Sequence, residues 1–247
     1  AVIVEELARQ DGGLALVVAA HNGLCLSHLN IAASHEQKQK YLPKLTSGEW
    51  VGAWGLTEPG CGSDAAALET RAEKDGSGWR LSGHKMFITN GHRARVFVVM
   101  ARTDPSQGTK GISAFVIERG AAGFSIGPKE DKLGVRCSDT VTLDFDGAYV
   151  GPEAVVGEYN MGYVDALKVL ERGRVGIGAM ARIGHGRRSA ALRPKPRFRA
   201  PHEASRRHRS RSSNSAHLRS SSSAVPENRA ATTSRRHCRN SFRPLAY

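Results

Sequence analysis

The chain has 247 residues, with 36 Lys+Arg against 23 Asp+Glu, a formal charge of +13. The excess sits at one end: residues 1–183 hold 20 basic and 21 acidic side chains, and residues 184–247 hold 16 basic ones against Glu203 and Glu227. A nucleic-acid-binding surface is therefore not expected of the body of the chain, and four scattered cysteines with no Cys-x-x-Cys pair argue against a disulfide framework or a metal site. No basic segment followed by an apolar core opens the chain. The apolar run over residues 15–20 is too short to cross a bilayer, so the expected setting is soluble, reducing and cytoplasmic.

In chain order, Val2, Ile3 and Leu7 recur at helical spacing before the break at Asp11-Gly12-Gly13. Residues 14–29 are largely apolar without strict alternation, which predicts a buried helix. Ser34 followed three residues later by Gln37 is a capping-box pattern. Pro43 limits the helix that it starts to about two turns. From Trp50 to Val150 the pattern changes to short runs of β-formers between turn residues: 79–81, 85–89, 96–101, 112–117, 124–126 and 140–146. In the last of these Val141, Leu143 and Phe145 alternate with Thr142, Asp144 and Asp146, placing three apolar side chains on one face. No helical pattern separates these strands, which predicts an antiparallel barrel or sandwich. Helical spacing returns over residues 163–180, where Val164, Leu167 and Leu170 share a face.

The predicted class is therefore an α+β multidomain chain. A partial N-terminal helical domain (1–49) precedes an antiparallel β-barrel middle domain (50–157). The first helix of a C-terminal domain (158–183) and a basic tail (184–247) follow. The tail carries 15 Arg and one Lys, the run 220–223 of four serines, and almost no apolar periodicity. Such a segment cannot offset chain entropy of roughly 1–2 kcal/mol per residue and is expected to be disordered. It reads either as a nucleic-acid-binding tail or as a frameshifted stretch of a G+C-rich gene. The break inside a helix favours the second reading, and nucleic acid is not the expected partner.

The stretch Trp54-Gly55-Leu56-Thr57-Glu58-Pro59-Gly60-Cys61-Gly62-Ser63-Asp64 offers hydroxyls, open backbone N–H groups and a flat indole. That set suits a planar heteroaromatic carrying a phosphate. A plain Gly/Pro turn would explain the same composition. The spacing Gly60-x-Gly62-x-x-Ala65 lacks the strand–turn–helix context of a dinucleotide fingerprint. The stretch resembles the Thr-Glu-Pro-Gly-Ala-Gly-Ser-Asp signature of the acyl-CoA dehydrogenases, with Cys61 in place of the usual Ala. Residues 36–43 (EQKQKYLP), 83–91 (GHKMFITNG) and 132–140 (KLGVRCSDT) resemble further segments of that family, in its order and near its spacing. The resemblance covers roughly residues 1–183.

The resemblance implies FAD as cofactor and an acyl-CoA thioester as substrate. The implied reaction is α,β-dehydrogenation, in fatty-acid β-oxidation or branched-chain amino-acid catabolism; the alternatives are a related acyl-CoA oxidase, or a non-enzymatic remnant with a nucleic-acid-binding basic tail. Trp54, Leu56 and Thr57 would line the flavin ring, Phe87 would cover its face, and the Thr89 hydroxyl would sit near its N5. Ser63 would contact the phosphate-bearing part of FAD or of the acyl-CoA, and Arg174 the CoA end of the substrate. Glu58 is expected to be structural, and His21, His28 and His84 to be packing or surface residues. Glu171 lies two positions from where some members place an alternative base, which here is Gly173. The usual base, a late Glu, has no counterpart in residues 184–247. No catalytic residue is assigned, and this chain is expected to be truncated and weakly active or inactive. The implied partners are an electron-transferring flavoprotein or similar acceptor and a dimer or homotetramer of the parent. A eukaryotic parent would place it in the mitochondrial matrix.

Overall fold

The computed structural model describes residues 1–192. Five helices, α1 (Val2–Gln10), α2 (Gly12–Ala20), α3 (Ser27–Ala32), α4 (His35–Thr46) and α5 (Gly162–Leu192), flank eight strands. The strands are β1 (Gly52–Gly55), β2 (Arg71–Asp75), β3 (Gly78–Thr89), β4 (Val96–Arg102), β5 (Ile112–Glu118), β6 (Phe124–Ile126), β7 (Thr140–Val150) and β8 (Val155–Val156).

Asp11 ends α1 and caps α2, its carboxylate accepting from Leu14 N–H at 2.9 Å. The chain then runs as one helix from Gly12 to Ala32, because a π-helical turn at His21–Leu26 joins α2 to α3. That helix is 21 residues long and meets the length and composition of a bilayer-spanning segment, which the run 15–20 alone did not. Here its polar positions are used inside the fold, and Cys25, His28 and Leu29 are fully buried. The predicted capping box holds: Ser34 Oγ accepts from Gln37 N–H at 3.2 Å, and Gln37 Oε1 accepts from Ser34 N–H at 3.0 Å. The Gln37 amide also donates to the carbonyls of Glu153 and Val155, tying α4 to β8. Pro43 does not stop α4, which continues to Thr46.

The sheet runs β6-β7-β3-β2-β4-β5-β8, with β1 added beside β4. It differs from an antiparallel barrel in two respects. Among the described residues the edge strands β6 and β8 do not pair with each other, so the sheet is open. It is also mixed: β1 lies parallel to β4 from Gly52↔Val96 to Gly55↔Val99, and β2 meets β4 parallel at Arg71↔Arg102. β1 enters from the helical segment rather than from a hairpin, which leaves its direction free. β4 and β5 are buried along nearly their whole length, matching their unbroken apolar runs. β7 keeps the alternation read from sequence, with Val141, Leu143 and Phe145 buried.

α5 departs from expectation twice. It continues nine residues past Ile183 to Leu192, where a tail was expected. Arg, Ser, Ala and Leu, which make up most of residues 184–192, are compatible with helix. The remaining tail residues lie outside those described. Its buried face is also rotated: Asp165, Ala166 and Val169 are buried, whereas Val164 and Leu167 are 40% and 46% exposed.

Candidate functional site

The loop after β1 is anchored from below by a buried ion pair. Lys85 of β3 is fully buried, and its Nζ donates to Glu58 Oε1 at 2.6 Å and to the Leu56 carbonyl at 3.3 Å. Glu58 also accepts from the backbone N–H groups of Glu69 and Thr70 at 2.5 and 3.0 Å. Burial pushes its carboxyl up, but the Lys85 charge and the backbone donors outweigh burial and hold it below the ordinary range. Glu58 is thus structural, as expected. Pro59 and Gly60 stay exposed above it, in a tight turn closed by reciprocal Glu58 and Cys61 backbone bonds. Cys61 is buried, its thiol donating to the Asp64 carbonyl at 3.1 Å, so a side chain larger than Ala is accommodated inward.

β3 carries the second part of the site. Its pairing with β7 slips between Lys85 and Ile88, and Phe87 within that bulge has φ +58°. A phenylalanine in the left-handed region is strained by roughly 1–3 kcal/mol. Phe87 is also 60% exposed, unusual for so large an apolar side chain. Met86 N–H donates to the Thr57 carbonyl at 2.9 Å, which fastens the bulge to the loop. At the end of β3 the Asn90 side chain donates to the Val17 carbonyl at 3.0 Å, fixing the strand against α2.

The third part is helical. Leu170, Gly173, Arg174 and Ile177 recur at i, i+3, i+4 and i+7, so they share one face of α5. A Cβ at Gly23 would lie 3.7 Å from the Gly173 Cα, an ordinary packing distance, so α5 runs directly against the π turn there. His21 fixes that turn to the sheet: Gly52 N–H donates to its Nδ1 at 3.0 Å, and its Nε2 donates to the Leu45 carbonyl at 3.0 Å.

These parts enclose two adjoining cavities. One, of about 210 Å³, is lined by Trp54, Leu56, Thr57, Phe87, Ile88 and Thr89, with Ala20, Leu24 and Leu170. The other, of about 290 Å³, is lined by Leu16, Ala19, Gly173, Arg174 and Ile177 and shares Ala20, Leu24, Thr89 and Leu170 with the first. Five residues singled out in the sequence thus meet on one cavity, and Arg174 borders the next. Ser63 borders neither; it is exposed on the loop. A larger hollow of about 570 Å³ lies elsewhere, beside Pro59, Arg71, His84 and Arg102. The Arg102 guanidinium there is spent on the carbonyls of Ala66, Leu68 and Gly108, leaving it no free fork for a ligand. Glu171 is exposed and lines neither cavity.

Sequence reasoning passed over Ala20 and Leu24, which had no signal beyond an apolar run. It also gave the three histidines no partners. His21 bridges helix and sheet, His28 accepts from Trp54 Nε1–H at 3.0 Å, and His84 pairs with Asp144 at 2.6 Å on the surface. Those partners are 24 to 60 residues away in sequence.

The donor set suits a flavin ring. Among the described residues the Thr57 and Thr89 hydroxyls take no hydrogen bond inside the protein, and the remaining walls are apolar or aromatic. Residues 1–49 match the family described as "Acyl-CoA dehydrogenase, N-terminal domain", and residues 53–148 match "Acyl-CoA dehydrogenase, middle domain". A short-chain specific acyl-CoA dehydrogenase of Clostridium acetobutylicum is 47% identical over 180 residues, covering 73% of this chain and 48% of the relative. The solved structure of butyryl-CoA dehydrogenase from Megasphaera elsdenii superimposes with a TM-score of 0.74 at 38% identity, over 80% of this chain and 53% of that one. An acyl-CoA dehydrogenase complexed with FAD from Bacillus anthracis superimposes at 0.70 with 38% identity, over 75% of this chain and 32% of that one. The chain belongs to the acyl-CoA dehydrogenase family, and it spans about half the length of the curated relative it matches.

Proposed function

We propose that the chain carries the flavin-binding and part of the thioester-binding machinery of an acyl-CoA dehydrogenase acting on short or branched acyl-CoA thioesters. The observation that carries this reading is the convergence of Trp54, Leu56, Thr57, Phe87 and Thr89 on one cavity, from β1 with the loop after it and from β3, which the Met86–Thr57 bond ties to that loop. FAD bound there would supply the hydride acceptor for α,β-dehydrogenation.

The chain's own residues then bind and orient. The Thr57 hydroxyl is a free donor for the polar edge of the ring, and the Thr89 hydroxyl is a second, placed where the two cavities join. Phe87 and Trp54 give apolar walls that exclude water, which strengthens any hydrogen bond made inside. Arg174 borders the adjoining apolar cavity and is the cation available to the CoA side of the substrate. Among the described residues no carboxylate lines either cavity, so residues 1–192 provide binding and orientation rather than proton abstraction.

The test is titration of the purified chain with FAD, read by flavin fluorescence. Thr57→Ala and Phe87→Ala should each weaken binding roughly 3- to 15-fold, the loss of one hydrogen bond or one aromatic contact. Arg174→Ala should leave FAD affinity unchanged and weaken butyryl-CoA binding to the FAD-loaded chain. Unaltered FAD affinity in both cavity variants would reject the assignment.

A further inference from the structure

Trp54 can wall the cavity only while its indole is held in place, and the group that holds it is an imidazole on α3. Trp54 Nε1–H donates to His28 Nδ1 at 3.0 Å, with the two rings 6.3 Å apart and tilted by 46°. His28 has no solvent-accessible surface, and Trp54 is 8% exposed. With Nδ1 committed as an acceptor, the neutral ring carries its proton on Nε2. That Nε2 is itself buried and has no partner among the described residues. A buried donor left unpaired costs about 1–3 kcal/mol, a cost that an aliphatic side chain of similar size would avoid. Burial lowers the His28 pKa to about 4, against the opposing charge of Asp165, so the ring stays a neutral acceptor at ordinary pH. Packing alone does not account for an imidazole here. The bond to Trp54 does, because an indole needs an acceptor when it is buried.

We infer that His28 is the positioning residue of the cavity, holding the Trp54 indole as a wall of the ring-binding site. This rests on the flavin reading above. The role is indirect, since His28 does not line either cavity. It makes a specific demand: an acceptor must stand at the Nδ1 position. His28→Asn keeps one, because its amide oxygen falls near that atom, whereas His28→Leu removes it.

The test uses the full chain with ¹⁵N-labelled tryptophan and the variants His28→Asn, His28→Leu, Trp54→Phe and His28→Leu/Trp54→Phe. Trp54→Phe identifies the indole resonance among the three tryptophans. The expected result is that His28→Leu moves the Trp54 indole N–H resonance and weakens FAD binding roughly 3- to 10-fold. His28→Asn should bind FAD as the parent does, and the double variant no more weakly than Trp54→Phe alone. The inference is overturned if His28→Leu binds FAD as the parent does, if His28→Asn fails as His28→Leu does, or if the His28→Leu cost persists without Trp54. Should His28→Leu not fold, the His28→Asn and Trp54→Phe affinities decide it. A parent chain that takes up no FAD sinks the flavin reading instead. The indole resonance then decides the positioning role alone, and an unmoved Trp54 N–H in His28→Leu overturns it.

Discussion

Phe87 is held at φ +58° and 60% exposed, two costs borne by one residue. Phe87→Gly relieves the left-handed strain and should leave stability equal or raised by about 1 kcal/mol, while weakening FAD binding. Stability and affinity moving in opposite directions would mark the bulge as functional; a fall in both would mark Phe87 as a packing residue. The Lys85–Glu58 pair beneath it behaves differently. Lys85→Met strands a buried carboxylate and should cost ~3–5 kcal/mol in chemical denaturation, and adding Glu58→Gln should recover part of that. Because the Glu58 carboxyl is held below its ordinary 4.5, its contribution is complete above about pH 4.5 and is lost as pH falls through the folded value. Glu58→Gln should therefore flatten the acid side of the stability curve. At this scale the motif residues were legible, since their types and order carry the resemblance. The Phe87 strain, the Lys85–Glu58 pairing and the histidine partners were not, because each depends on contacts made only when distant segments meet.

The helix from Gly12 to Ala32 meets the sheet at its π turn, where Gly52 of β1 has no room for a side chain. An added Cβ would lie 2.5 Å from Cys25 Sγ. Burial already pushes the Cys25 thiol up to about 12, as expected of a group with no water near it. Gly52→Ala should thus cost about 1–3 kcal/mol, lowering the denaturation midpoint. It should also loosen His21, whose Nδ1 accepts from Gly52 N–H. The strong periodicities were readable: the capping box of α4, the alternation of β7, and the apolar runs of β4 and β5. β1 was not, because Gly-Ala-Trp-Gly has low strand propensity and is held by parallel pairing to β4. β2, with Arg71, Glu73 and Lys74 exposed, reads as a loop until Ala72 is seen packed inward. The face of α5 was misjudged because spacing reports which residues align, not which side meets β5. There a Cβ added at Gly162 would lie 2.5 Å from the Ala114 backbone nitrogen, so only glycine fits at the helix's entry.

Over the whole molecule the helix–sheet–helix order followed from the change of period near Trp50 and again near Tyr163. The opening of the sheet and its parallel strands did not, since long-range pairing leaves no mark in local sequence. The cavity pair belongs to this scale too, being made where α2, the π turn, β3 and α5 converge. A ligand bound only by the folded chain adds about 2.7 kcal/mol at a hundredfold excess over Kd, so saturating FAD should raise Tm by roughly 5–10 °C. Hydrogen exchange with and without FAD would map where the cofactor sits. Bound FAD should slow exchange at residues 54–57 and 87–89 and along α5 near 170–177, with no slowing beside Arg71 and Arg102. Protection confined to the larger hollow, or no change in the first three segments, would contradict it.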